Sequence, residues 1–257
     1  MNTFPGSLFC VKFYCSLVLR VVLSWCNGGM KCVCCGSQSF SMPLCSLCRK
    51  KMISLVRFPK KKCRICSKNL ISEDDLCMEC RESSILKSAD AIFSLFSYRL
   101  WTKNLLFLWK MQGQRSLSPF FAYLANLKLM EISSIENSVI VPIPPRPGKI
   151  RKRSWDQIHD LALFLRYLYK WKIMSLLVRK SKSQQKKMDR NERILNGNKN
   201  YYLSSFCKKL IKMKKLPKSV IIIDDVLTTG VTAQSAASLL KGAGIESVKV
   251  LTLFIVD

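Results

Sequence analysis

The segment that most constrains the fold of this chain lies near its C-terminus, at 220–232. It opens with four β-branched residues, Val220 to Ile223, and continues through Asp224 and Asp225 into a Thr-Thr-Gly turn. An apolar β-branched run without polar interruption is typical of a parallel strand that is buried on both faces. The segment therefore predicts a central strand of an α/β sheet.

A helix and a last strand are predicted after the turn. Thr232 is placed to cap a helix over 233–241, and glycines at 242 and 244 would end that helix before a strand over 247–256. The order strand, loop, helix, strand is the unit from which mostly parallel sheets with crossover helices are built.

The turn itself has the composition of a phosphate and sugar site. Backbone N–H groups and the hydroxyls of Thr228, Thr229 and Thr232 would surround an anion at a helix N-terminus. Two adjacent carboxylates repel phosphate, but they suit vicinal hydroxyls or a hydrated Mg2+. Phosphate with a diol describes a ribose 5-phosphate, held beyond the carboxyl end of a strand where open α/β sheets bind ligands. A plain helix cap is the alternative, although capping requires neither both acids nor the whole threonine run.

Eight of the thirteen cysteines form four C-x-x-C pairs, and these pairs are a second strong signal. Two intervening residues let both thiolates reach one zinc ion from a tight turn. The pairs recur with a period of about 31 residues, so each repeat supplies four thiolates. We predict two zinc ribbons, whose ligands are Cys32, Cys35, Cys45 and Cys48 in the first and Cys63, Cys66, Cys77 and Cys80 in the second.

Both zinc ions are expected to be structural, because a site made of four thiolates leaves no position for water. Cys34 could replace a neighbouring ligand, and pairs could be exchanged between the repeats, so the partition of the ligands stays open. Ordinary buried or redox-active cysteines are the alternative interpretation of the pattern.

Between the cysteines and the C-terminal strand the pattern alternates between strands and helices. It predicts strands over 91–98, 138–141 and 173–178, helices over 98–113 and 119–129, a helix capped by Ser154, and a long polar loop over 179–200. We therefore predict a non-structural extension over 1–29, a double zinc-ribbon domain over 30–85, and an α/β domain over 86–257 with a mostly parallel sheet flanked by helices.

The charge and the N-terminal segment limit the function classes. Lys and Arg number 43 against 16 Asp and Glu, a net charge of +27 that attracts polyanions, although scattered lysines can also form a merely solvated surface.

The apolar segment 1–29 is interrupted by Lys12 and Arg20 and lacks the features of a signal peptide or a membrane span. Met30 is the expected start, with a cytoplasmic location and no stable membrane insertion.

Over residues 30–257 the chain resembles the ComF proteins, competence-associated members of the type I phosphoribosyltransferase superfamily. The resemblance is carried by the cysteine pairs, by Tyr98 with Lys110 and Gly113, by Val141-Pro142-Ile143-Pro144, by Arg153 to Gln157, and by the loop at 224–232. The chain departs from the family at Ser154, Trp155 and Asp156, where the family commonly has Gly, Phe and Asn.

The resemblance implies a site for phosphoribosyl pyrophosphate with Mg2+. Asp224 and Asp225, the candidate catalytic pair, would contact the ribose hydroxyls. The implied binding loop is Asp224, Asp225, Val226, Leu227, Thr228, Thr229, Gly230, Val231 and Thr232. The candidate pyrophosphate contacts are Lys110, Arg146, Arg153 and Arg193, and the family's polar positions after residue 179 are matched by Gln185 (or Gln184), Arg193 and Asn196.

Two functions follow from the resemblance. One is a transferase in which a nucleophile displaces pyrophosphate from phosphoribosyl pyrophosphate, in a protein linked to DNA uptake during natural transformation. The other is a non-catalytic protein of the competence machinery, regulatory or binding single-stranded DNA, with a competence helicase as a further partner. The high positive charge is compatible with the second.

Overall fold

The structure is a computed structural model, and it describes residues 15, 18, 19, 21–26, 28–40, 42–57, 61–70, 73–82, 87–133, 138–145, 155–179 and 201–256. In chain order its named elements are β1 (Met30–Lys31), β2 (Gln38–Ser39), α1 (Ser46–Arg57), α2 (Met78–Glu82), β3 (Ala91–Ser97), α3 (Leu100–Lys110), a 3-10 turn (Arg115–Leu117), α4 (Ser118–Ile132), β4 (Val139–Pro142), α5 (Gln157–Tyr169), β5 (Leu177–Arg179), β6 (Tyr201–Leu203), α6 (Ser205–Lys212), β7 (Ser219–Leu227), α7 (Val231–Gly242) and β8 (Ser247–Ile255).

A four-stranded sheet with the order β3-β8-β7-β4 forms the centre of the fold, and all three pairings are parallel. β7 is buried on both faces, as its β-branched run predicted. Ile221 and Ile223 pack in the core formed with α3, α4 and α5. Val220 and Ile222 pack in the opposite core, formed with α7. The predicted fold class, a mostly parallel sheet flanked by helices, is confirmed.

Strand β7 is longer than predicted, because it continues through both acids to Leu227. Its pairing with β8 includes Asp224 opposite Thr252 and Leu227 opposite Ile255. β8 extends equally far and offers backbone partners along this length, so the ladder continues into the polar segment. The acid pair is therefore held by the sheet rather than by a loose loop.

Two predicted helix caps are wrong. The carboxylate of Asp156, not Ser154, caps α5 by accepting hydrogen bonds from the N–H groups of Ile158 and His159. A carboxylate is favoured there because it also complements the positive end of the helix. At α7 the N-cap is Gly230 with φ 77°, a residue that has no side chain to make a capping hydrogen bond, so Thr232 is not the cap.

The predicted strand over 173–178 is also corrected. Ile173 makes only an isolated parallel bridge to Ile140 of β4. The chain then turns away, and β5 pairs antiparallel with β6 outside the main sheet. The predicted loop over 179–200 lies outside the described residues apart from Arg179, which ends β5.

The first cysteine repeat shares its core with the sheet. Leu44, Met52 and Val56 are almost fully buried and belong to the same apolar cluster as Phe96 of β3 and Phe121 of α4. Helix α1 accordingly lies against α4 and β3. The domain boundary at residue 85 remains a prediction, but packing crosses it at this helix.

The second cysteine repeat has a small core of its own, made by Cys63, Cys66, Leu70 and Cys77. It is attached to the outer edge of β3 by polar contacts. The Ser67 hydroxyl accepts a hydrogen bond from the Ser94 N–H at 3.1 Å, and the Lys62 ammonium donates to the Ser94 carbonyl. The two repeats are therefore alike in sequence and different in how they join the sheet.

Near the N-terminus, residues 21–26 are helical, and the ring of Trp25 lies 5.0 Å from that of Phe40. Among the residues that the structure describes, no helix is both long and apolar enough to cross a bilayer. That residues 1–29 are a non-structural extension remains a prediction.

Candidate functional site

The site predicted from sequence lies at the carboxyl edge of the sheet, where β7 ends and α7 begins. Thr228 and Thr229 are exposed in the connection, and Gly230 adopts a left-handed conformation that turns the chain directly into the helix. A small cavity opens here, lined by Asp224, Thr228, Gly230, Thr232 and other residues that include Thr252 of β8. The hydroxyls and the first turn of α7 make this cavity suitable for an anion.

The two acids lie on opposite sides of their strand, because successive side chains of a strand alternate. Asp224 is half-buried and lines the cavity with the threonines. Asp225 is 6% exposed and faces the helices α3 and α5 on the other side. Contact of both acids with one ribose remains a prediction.

The Asp225 carboxylate has two partners that come from distant parts of the chain. The Lys110 ammonium, at the end of α3, lies 2.7 Å from Oδ2. The Gln157 amide, at the start of α5, donates to the same oxygen at 2.5 Å. A buried carboxylate is stable only with such compensation. Two residues that the family resemblance singled out are thus brought onto the acid pair.

The neighbouring charges affect Asp224 differently. Desolvation, followed by the negative charge of Asp225, raises the pKa of the Asp224 carboxyl well above its ordinary value, and the positive charge of Lys110 opposes that rise. Asp224 therefore retains a proton more readily than an isolated acid does, which reduces its repulsion of an anion in the cavity.

The turn after α3 places Lys110. Gly113 has φ 69°, and a Cβ there would lie 3.4 Å from the indole nitrogen of Trp155. The Arg115 guanidinium lies 5.8 Å from the centre of the same ring and forms an ion pair with Asp160 at 3.0 Å. These contacts bind the end of α3 to the start of α5, so Lys110 and Gln157 are held at one place.

Sequence reasoning placed Lys110 among the candidate anion contacts, and the structure does bring it to the acid pair. It did not name Gln157 as a site residue, although this glutamine is the last residue of the Arg153 to Gln157 match to the family pattern and could have been found there. Arg146, Arg153 and Arg193, with Gln184, Gln185 and Asn196, lie outside the described residues.

The thiols of the two repeats form two separate clusters, which resolves the partition that the sequence left open. The first contains Cys32, Cys35, Cys45 and Cys48, and the second contains Cys63, Cys66, Cys77 and Cys80. Within each cluster all four sulfurs lie within 4.8 Å of one another. A tetrahedral zinc with Zn–S bonds of about 2.3 Å spaces its sulfurs about 3.8 Å apart, so both clusters fit this ion.

Individual pairs of sulfurs agree with that geometry. Cys35 and Cys45 approach to 3.5 Å, and Cys66 and Cys77 approach to 3.6 Å. Hydrogen bonds from Ser37 lower the pKa of the Cys35 thiol to about 6, which favours the thiolate that a metal requires. Cys34 is not in the cluster, and burial raises the pKa of its thiol to about 11.

Comparison with known proteins gives two matches. Residues 177–256 match the model of the phosphoribosyl transferase domain, and this range contains β7, the loop at 224–232 and α7. Over 238 residues the chain is 26% identical to competence protein ComFC of Streptococcus pneumoniae (strain ATCC BAA-255 / R6), covering 87% of this chain and 99% of that protein. With the paired cysteine clusters ahead of the sheet, these matches support the resemblance of the chain to the ComF family of the type I phosphoribosyltransferase superfamily.

Proposed function

We propose that this protein binds phosphoribosyl pyrophosphate with Mg2+ at the carboxyl edge of its sheet and serves DNA uptake in natural transformation. The observation that carries the proposal is the cavity between Asp224 and the threonines at the start of α7; the next residue of the strand, Asp225, is paired with Lys110 on the other side of the sheet. The match to competence protein ComFC supports the biological setting.

Each part of the donor has a suitable partner in this arrangement. The 5-phosphate would occupy the first turn of α7, with the hydroxyls of Thr228 and Thr232 as donors. Asp224 would accept hydrogen bonds from the ribose hydroxyls, and Lys110 would neutralise the diphosphate. Bound Mg2+ would supply charge neutralisation of the leaving pyrophosphate. The protein's own contribution to transfer would be to orient the donor and exclude water.

Calorimetric titration of phosphoribosyl pyrophosphate, with and without Mg2+, tests the binding. We expect Asp224→Asn and Thr228→Val each to weaken binding by about tenfold, the loss typical of one charge-assisted or buried hydrogen bond. Asp74→Asn is a matched control, because this exposed acid pairs with Lys61 in the second repeat and does not line the cavity. Wild-type protein that shows no binding at millimolar ligand would refute the proposal.

Turnover requires its own experiment. A screen of nucleobases and phosphorylated compounds for pyrophosphate release would identify an acceptor, and Asp225→Asn should abolish that release. If the ligand binds and no acceptor releases pyrophosphate, the site serves recognition rather than transfer.

Binding of single-stranded DNA is a second candidate function, favoured by one surface. Residues 205–218, which run from the start of α6 to the residue before β7, carry the exposed lysines 208, 209, 212, 214, 215 and 218 and no acidic residue. The Phe206 side chain beside them is 46% exposed. Lysines with an exposed aromatic ring suit a flexible polyanion whose bases can stack.

The salt dependence of binding to an oligothymidylate, followed by fluorescence anisotropy, tests this surface. Replacing Lys208, Lys212 and Lys215 by Gln should lower the slope of log K against log salt by roughly 2, because each phosphate contact contributes about 0.7. The control removes the same charge at the exposed Lys50, Lys103 and Lys172. Equal effects of both triple variants would mean that net charge, rather than this surface, binds the DNA.

A further inference from the structure

The ion pair between Lys110 and Asp225 is asymmetric in its access to solvent. The side chain of Lys110 is 34% exposed, whereas that of Asp225 is 9% exposed. An anion arriving from solvent can therefore reach the ammonium while the carboxylate stays shielded behind it.

Gln157 gives Asp225 a partner that does not depend on the lysine. Its amide donates to the same oxygen, Oδ2, that the ammonium contacts. Gln157 is 4% exposed and is the first residue of α5, whose start is fixed by the Asp156 cap. The amide is therefore anchored, and it can keep the carboxylate oriented when the ammonium moves.

Resting on the proposed function, we propose that Lys110 exchanges partners when the donor binds. In the ligand-free protein its ammonium neutralises Asp225. In the complex it contacts the diphosphate of phosphoribosyl pyrophosphate, and Asp225, oriented by Gln157, becomes available to Mg2+ or to a ribose hydroxyl. Lys110 would then release Asp225 to contact Mg2+ or the ribose only when the diphosphate is present.

The exchange has an electrostatic reason. A buried carboxylate that loses its cation is costly unless another cation replaces it. The Mg2+ that accompanies the diphosphate supplies that replacement, so departure of the lysine and arrival of the metal favour each other. Linkage makes this coupling reciprocal, and Mg2+ should increase diphosphate affinity by the same factor as the diphosphate increases Mg2+ affinity.

The test compares two ligands that differ only in the diphosphate. Phosphoribosyl pyrophosphate and ribose 5-phosphate are titrated with Mg2+ into wild-type protein, Lys110→Met and Lys110→Arg. We expect Lys110→Met to weaken phosphoribosyl pyrophosphate about tenfold or more and ribose 5-phosphate less than about threefold, and Lys110→Arg to restore most of the difference. Lys103→Met, which removes an exposed lysine from the same helix, should change neither affinity.

A second pair of variants excludes an effect of an uncompensated buried charge on folding. Asp225→Asn removes that charge, and Lys110→Met is then added to it. The added change should still reduce affinity for phosphoribosyl pyrophosphate about tenfold while leaving ribose 5-phosphate unchanged. Gln157→Leu should weaken both ligands to a similar extent, because it misorients Asp225 without removing a diphosphate contact.

The outcomes separate the two proposals. Equal losses of both ligands in Lys110→Met, in either background, would show a purely structural lysine and overturn the exchange while leaving the binding function intact. Unchanged affinity for phosphoribosyl pyrophosphate would overturn it as well. Failure of the wild-type protein to bind either ligand would refute the proposed function itself, and the exchange with it.

Discussion

The two cysteine repeats should differ sharply in their effect on the stability of the sheet. The perturbation is a pair of matched double variants, Cys32→Ser/Cys45→Ser in the first repeat and Cys63→Ser/Cys77→Ser in the second. All four thiols are buried, and the two pairs occupy equivalent positions of the repeat. Each variant removes two of the four thiols of one cluster.

The magnitude follows from the burial of the first repeat in the main core. Leu44, Met52 and Val56 are 0%, 1% and 5% exposed. Complete burial of three such side chains contributes about 5 to 9 kcal/mol. Because part of that burial is internal to the repeat, we take the lower value, about 5 kcal/mol, against a typical total stability of about 5 to 15 kcal/mol. For a domain of this size the loss lowers Tm by about 10 to 20 °C.

The assay is thermal unfolding followed by near-ultraviolet circular dichroism, with zinc content measured by native mass spectrometry. Trp109 is fully buried in the core shared by α3 and α4, so its signal reports the sheet domain. We expect the first variant to show the large drop, and the second, whose repeat has a separate core, to shift Tm by less than about 5 °C. Equal shifts, or a larger shift in the second variant, would refute the reasoning.

Three further predictions concern the site. Asp224→Asn should raise Tm at pH 7 but not at pH 3. The pKa of Asp224 is raised in the folded state, so the free energy of unfolding falls as pH rises above the unfolded-state pKa of about 3.9, and the Asn variant escapes that loss. Thermal unfolding at the two pH values checks this. Gly113→Ala should cost about 1 kcal/mol, since its φ is positive and the new Cβ meets Trp155, and a change in tryptophan emission should accompany the loss measured in urea. Asp156→Ala should cost about 1 kcal/mol by removing the α5 cap and should also weaken donor binding through Gln157, whereas unchanged affinity would show that the cap does not position the glutamine.

Much of the fold follows from local patterns in the sequence. The β-branched run at 220–223 identifies a strand buried on both faces, and the apolar periodicity of α5 identifies a helix with one buried face. The errors arose where tertiary partners decide. Strand β7 continues through two acids because β8 offers it backbone partners. Residues 173–178 are not one strand because residues 177 and 178 pair with β6 instead of the main sheet.

The candidate site was only half visible for the same reason. The loop at 224–232 is contiguous, so its chemistry can be deduced from residue types alone. The contacts of Asp225 with Lys110 and Gln157 join positions 115 and 68 residues away in the chain. The spacing of apolar residues along the sequence gives no information on contacts between positions so far apart. That the two acids face opposite sides does follow from strand geometry, but only once the strand is known to include them.

The contact of the second cysteine repeat with Ser94 has a consequence for solubility. β3 is an outer strand of the sheet, and unpaired outer strands are templates on which other chains aggregate. The opposite outer strand, β4, is covered by backbone hydrogen bonds between Ile140 and residues 172 and 174. On β3, the Ser67 hydroxyl and the Lys62 ammonium occupy the N–H and the carbonyl of Ser94. Protein without metal in the second repeat should therefore stay folded yet self-associate through β3, which light scattering would detect as particles that grow with protein concentration while the tryptophan signal stays native.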